Sequence, residues 1–381
     1  MRNPTGRSLP KLSGVLSYVL VIAALALAIL WIIPANYYLI MPGQAQRVLP
    51  MISIHGHHRS SGPGAIYDTY VNEYKVSHLL YLFLGLMRSD VSVEPAAQVS
   101  SGCPDQQYEQ QLLAMMDDSK IQAEAAALHV LGHRIRTEPT PQIDEVSCNF
   151  PAISILRPGD RIVAVDGHRI TGAGPPGQSL LEVQRYTRMR PPGSIVKLRI
   201  IRNGRTRTVS VPTRRADSLG DIVKSGGHTT IGIVMSLPFK FPLRVHIDSG
   251  NVGGPSAGLA FALGLIQQLT GRDLTHGNRV AVTGTIQYVD VNLPHGKQGY
   301  RALVGAIGGA RQKAIAAQAA GAKYFLVPSE NYAEALSARV HLKVIPVRTL
   351  HDALEVLRHL PIATSARGGS AEAAKAGRAR G

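Results

Sequence analysis

Residues 250–269 read GNVGGPSAGLAFALGLIQQL. Gly253, Gly254 and Gly258 crowd one small hydroxyl, Ser256, which stands between Pro255 and Ala257. Glycine lets another backbone or a ligand come closest, so this setting marks Ser256 as a candidate nucleophile. The apolar run from Gly258 to Thr270 predicts a helix that opens just after the serine. Amides at a helix start lack intrahelical acceptors, so those of Ser256 and Ala257 are candidate donors to an oxyanion. Pro255 has no N–H and cannot join them.

Gly254 to Gly258 also fits G-x-S-x-G, the strand-turn-helix elbow of α/β-hydrolases. That elbow needs a strand running straight into the turn, whereas here LRVHID ends at Asp248 and residues 249–255 intervene. A second glycine pair offers a different base. IGGARQK, 307–313, sets Lys313 in the first turn of a helix that continues through AIAAQAAG, among small apolar neighbours. Lost hydration and the positive end of the helix dipole both favour the neutral amine. Acting as a base near neutral pH calls for a pKa drop of about 3 units, which burial can supply. A neutral lysine within reach of a serine hydroxyl can take its proton without a histidine. Thr283, in Val282-Thr283-Gly284, is the candidate hydrogen-bond partner of the amine.

Around these residues, 225–361 reads as an α/β block. TTIGIVMSL, LRVHID, VAVTGTIQYVDVNL, YFLVP and VHLKVIPV are strand-like, and helices are expected over 258–270, 310–320, 334–338 and 350–360. Three pieces of it, GGPSAGLAFALG, LTGRDLTHGNRVAVTGTI and IGGARQKAIAAQAAGAKYFLVPSEN, resemble the proteolytic domain of Lon-type serine proteases. The resemblance implies a serine endopeptidase acting on polypeptides, with Ser256 as nucleophile and Lys313 as general base. It also implies a homo-oligomer, a hexameric ring. QYVDVNLPHGKQGYRALVGA, 287–306, stands where that family has a short Asp-Gly hairpin. No G-x-x-x-x-G-K-[ST] phosphate loop occurs, so neither ATP nor another cofactor is expected. His129 and His133 lie four apart but lack an acidic partner, so no metal is expected either.

Between 136 and 215 the pattern is strand-like. A turn at Pro158-Gly159-Asp160, alternation through 161–165, a short helix over 180–186 and a hairpin at Asn203-Gly204 follow one another. Leu156 to Ile162 carries L-x-x-G-D-x-I, and this stretch resembles the PDZ domains linked to bacterial proteases. The resemblance implies a small β-barrel that adds an extended peptide to a sheet edge. No Gly-Leu-Gly-Phe loop stands upstream, where NFPAISI or QIDEV falls, so peptide capture and a spacer role both stay open.

The formal charge is +16, but the basic residues are scattered and no zinc-finger or RNP-type pattern accompanies them, which argues against nucleic acid. Residues 15–33, VLSYVLVIAALALAILWII, are uncharged, follow Arg2, Arg7 and Lys11, and as a helix span roughly 28 Å. Too long for a signal-peptide core, they are expected to be an uncleaved single-pass anchor with the N-terminus cytoplasmic and the catalytic domain outside the cell membrane. Cys103 and Cys148 either pair or stay free, since spacing decides neither. One or two amphipathic helices are expected over 105–131. The expected organisation is α+β. It comprises a cytoplasmic arm and transmembrane anchor (1–35), a membrane-proximal α+β region (36–135), a PDZ-like barrel (136–215), a Lon-type α/β proteolytic domain (225–361) and a disordered basic tail (362–381). As a whole the chain resembles the membrane-bound, PDZ-containing Lon-like proteases of bacteria. The alternative is a catalytically silent peptide-binding adaptor on the same folds.

Overall fold

Short runs of β-branched and aromatic residues build the central sheet. Arg279–Val282, Tyr324–Pro328 and Lys343–Val347 lie parallel to one another. Val280, Val282, Phe325, Leu326 and Val327 are fully buried, as strands covered on both faces must be. The other half of this sheet comes from far earlier in the chain. Ala65–Ser77 runs parallel beside Arg279–Val282, with Asp68 level with Val282. Pro34–Arg47 and then Ser92–Pro95 follow antiparallel and complete six strands. Ile52–Ile54 pairs with Val245–Ile247 in the same manner. Residues from the stretch 36–135 thus share a sheet with those from 225–361. The computed structural model describes residues 12–363 apart from 57–61, 89, 101–102, 174–176, 218–224 and 294–296. The arm before residue 12 and nearly all of the expected basic tail lie outside the described residues.

The helix Gly258–Thr270, here the serine helix, is apolar around almost its whole circumference and is buried from Gly258 to Gln268. Asp105–Val130, the long helix, packs against it as one continuous element. Its Ala123, Ala125, Ala126 and Ala127 are fully buried, and their small side chains allow the two axes to approach closely.

A second sheet has the strand order Arg205–Pro212, Ile195–Arg202, Arg161–Val165, Gln142–Val146, Ile233–Ser236. Its own core includes Ile143, Ile162, Leu198 and Ile200, and the helix Gln178–Arg188 closes one side. Asn203 and Gly204 adopt φ of 51° and 73°, the primed turn that their sequence predicts. Cys103 and Cys148 form a disulfide with their Cα atoms 5.4 Å apart, which ties this unit to the chain just ahead of the long helix.

The N-terminal expectation is corrected. The first helix is Leu12–Ile32, yet among the described residues no helix is long and apolar enough to cross a membrane. The transmembrane element of the expected fold class, and with it the single-pass location in a cell membrane, is not upheld. What stands is a mixed α/β chain.

Candidate active site

After Val245–Ile247 the chain crosses to the serine helix through a loop that is fastened on two sides. Gly254 sits at φ 88°, ψ 156°, a conformation that a side chain would strain. Pro255–Ala257 then makes one 3-10 turn that leads into the serine helix. On one side the Gly254 amide donates to the Leu112 carbonyl (2.7 Å) and Ser119 Oγ donates to the Pro255 carbonyl (2.9 Å), both partners lying on the long helix. On the other, the Ser256 carbonyl accepts from the Gly284 amide (2.8 Å) and from Thr283 Oγ1 (3.3 Å). The backbone at Ser256 is therefore fixed while its side chain stays half-buried. Ala257, the neighbouring amide proposed as an oxyanion donor, is buried in the same turn.

Lys313 lies on Ala310–Ala319, the lysine helix, which is capped by Gly309 at φ 66° and lies across Pro34–Arg47 and Ala65–Ser77. Lys313 is 3% exposed, and its Nζ donates to Thr283 Oγ1 over 3.4 Å. Burial pulls its pKa down to about 8, against the charges of Asp68, Glu73 and Glu334, which favour the ammonium. Asp68 is itself 4% exposed, and burial pushes it up to about 7, against the charge of Lys313 and a backbone hydrogen bond from Thr69.

Ser256 and Lys313 both line one cleft of about 540 Å³. Its walls are Tyr70 to Glu73 of one strand, Leu112 of the long helix, the loop Asn251 to Pro255, and Ala306 to Gly308. Ser256, Lys313 and Thr283, far apart in sequence, are thus linked through one hydroxyl, with Ala257 adjoining. Leu112, Ser119, Asp68 and Glu73 join them from outside 225–361. Only Asp68 left a trace in the sequence, as a lone carboxylate within the apolar run AIYDTYV. Strand pairing between Ala65–Ser77 and Arg279–Val282 ends at Asp68 and Val282, so the far edge of Tyr70 to Glu73 borders the cleft and not that neighbour.

The second sheet has an open edge as well. Among the described residues Ile233–Ser236 pairs only with Gln142–Val146, and it faces a shallow groove of about 150 Å³, which Val183 and Thr187 of Gln178–Arg188 line together with Ile231 and Met235. At the head of this strand Gly232 adopts φ 71° and donates its amide to Thr230 Oγ1 over 3.2 Å. Between Thr285 and Gly305 the chain forms a hairpin of two nine-residue strands, Thr285–Leu293 and Lys297–Gly305. The α/β-hydrolase geometry is absent here, since Val245–Ile247 ends well before the 3-10 turn.

Comparison with known families agrees with this architecture. Residues 228–359 match the family model of the Lon protease (S16) C-terminal proteolytic domain, and residues 129–213 match that of the PDZ domain. The Lon protease of Chloroflexus aggregans is 28% identical over 169 residues, which is 40% of this chain and 19% of that protein. The Lon protease of Clostridioides difficile is 35% identical over 124 residues, 29% of this chain and 14% of that protein. This chain thus spans less than a fifth of the length of those relatives. The PDZ domain of the SdrC-like protein from Listeria innocua aligns at 22% identity with a TM-score of 0.20, covering 25% of this chain and 92% of that one. The chain carries a PDZ domain and, after it, the proteolytic domain of the Lon (S16) family.

Proposed function

We propose that this Lon-like peptidase is a serine endopeptidase that cleaves polypeptides by acyl transfer through a Ser256–Lys313 dyad. The observation that carries the reading is the shared Thr283 hydroxyl. It accepts from the buried Lys313 Nζ and donates to the carbonyl of Ser256 at the wall of one cleft. Neutral Lys313 takes the Ser256 proton as Oγ attacks the peptide carbonyl and returns it to the leaving amine, after which water clears the acyl-enzyme. The amides of Ser256 and Ala257 hold the oxyanion. An extended substrate adds along the free edge of Tyr70 to Glu73, where backbone groups and not side chains do most of the binding. The open edge at Ile233–Ser236 takes a second peptide segment in the same fashion. Turnover by this chain needs no ATP, and on the family likeness its working assembly is a homo-hexamer.

Cleavage of fluorescent unfolded casein without nucleotide tests the reading. Wild type is expected to be active, and Ser256→Ala and Lys313→Met to be inactive while still binding casein. Equal turnover in wild type and Ser256→Ala would refute it and leave the adaptor reading. Light scattering of the purified chain reads the assembly.

A further inference from the structure

Asp68 has no part in the steps above, yet strand register sets it beside them. It lies level with Val282, one residue before Thr283, on one side and with Gln46 on the other. The lysine helix lies across the strand of Asp68 itself, Ala65–Ser77, and across Pro34–Arg47. Asp160 shows how a buried acid is satisfied in this fold. Asp160, 1% exposed, accepts from Arg202 Nε (2.6 Å) and from the Arg157 amide (2.9 Å). Asp68 differs, because its Oδ1 is buried and has no hydrogen-bond partner among the described residues. An unpaired carboxylate oxygen is costly to bury unless an opposite charge compensates it, and the charge felt by Asp68 is that of Lys313. Three carboxylates act on Lys313 in return: Asp68 and Glu73 from one strand, and Glu334 from Tyr332–Leu336. Glu73 and Glu334 are exposed, so solvent screens them, while Asp68 is not.

We propose that Asp68 is a positioning residue that sets the protonation of Lys313, and so fixes where on the pH scale the peptidase loses its base. While Asp68 is ionised, the ammonium of Lys313 is favoured and stays against Thr283. As pH rises the proton passes to solvent and leaves the free amine facing Ser256. A carboxylate at this depth therefore makes the enzyme less active on the acid side than the burial of Lys313 alone would make it. The proposal rests on the dyad reading.

The test uses the full chain with ¹³C-labelled lysine, and Lys313 Cε is identified by its loss in Lys313→Met. In Asp68→Asn the Lys313 titration midpoint is expected to fall by about one pH unit, as for removal of a close opposite charge. The acid limb of casein cleavage is expected to move the same way, and Asp68→Glu to restore both. An unchanged or raised midpoint in folded Asp68→Asn overturns the proposal. If Asp68→Asn does not fold, the reciprocal measurement decides. In Lys313→Met the Asp68 carboxyl midpoint must rise, and an unmoved midpoint overturns the proposal. Both midpoints are read without turnover, so they stand apart from the dyad. Casein cleavage by Lys313→Met sinks the dyad alone.

Discussion

The amide of Gly254 donates to the carbonyl of Leu112 over 2.7 Å, so the loop carrying Ser256 hangs on a helix from a distant part of the chain. That same helix touches the PDZ domain, where Gln111 bonds the Glu145 carboxylate. Its Ser119 holds Pro255 from beneath. One rigid element thus spans the PDZ sheet and the serine loop. Gly254 makes this bond at φ 88°, in the region that favours glycine. Gly254→Ala is therefore expected to strain the loop by roughly 1–3 kcal/mol and to lower kcat at least tenfold. A fall in kcat with wild-type casein binding would place the damage at the nucleophile.

Thr283 is fully buried, and its hydroxyl serves two partners at once. Thr283→Val keeps the shape and removes both bonds, leaving the Ser256 carbonyl with the Gly284 amide alone and Lys313 with no hydroxyl acceptor at this position. The expected cost is about 1–3 kcal/mol of stability together with a loss of kcat of about 10- to 100-fold, comparable to the loss of one positioned catalytic contact. Thr283→Ser retains the hydroxyl and should recover most of the activity. Urea unfolding and casein kinetics on the two variants separate the terms.

The Cys103–Cys148 bond closes a loop with a sequence separation of 45. Loop-closure entropy removed from the unfolded chain is worth about 4 kcal/mol for a loop of that size. Replacing both cysteines by serine is expected to lower Tm by several degrees, and reductant is expected to do the same to wild type but not to the variant. Because the bond anchors the PDZ domain beside the long helix, overall susceptibility to proteolysis should then increase.

What was legible in the sequence was local. The serine helix, the lysine helix and the Asn203-Gly204 turn are each dictated by residues within a few positions of one another, and each lies where the pattern puts it. What was hidden depends on long-range register. Nothing in AIYDTYV announces that Asp68 will lie beside Val282. Pro34–Arg47 and Ala65–Ser77 share one sheet with Arg279–Val282, Tyr324–Pro328 and Lys343–Val347 although the whole PDZ stretch separates them in sequence. The PDZ-like stretch reads from sequence as an unbroken segment ending at 215, whereas the last strand of its sheet, Ile233–Ser236, arrives after that residue. The apolar N-terminal run forms a helix, Leu12–Ile32, as its composition leads one to expect, but among the described residues no helix is long and apolar enough to cross a membrane.

Glu124 lies within the long helix, 9% exposed, with Oε1 lacking a hydrogen-bond partner among the described residues. Burial pushes its pKa from 4.5 up to about 7. A carboxyl raised in this way holds a proton in the folded chain that the unfolded chain releases. Its contribution is fully present below about pH 4.5 and is lost as pH rises through 7. Asp144, pushed to about 7 by burial and by the facing charge of Asp118, acts in the same sense, as does Asp68. Glu124→Gln keeps the volume and abolishes the titration. It is expected to match wild type at pH 4.5 and to exceed it by about 1–3 kcal/mol at pH 8, with a flatter dependence between. Urea midpoints at the two pH values check this. An equal gain at both would assign the effect to packing, because only an ionising group produces a difference that grows with pH.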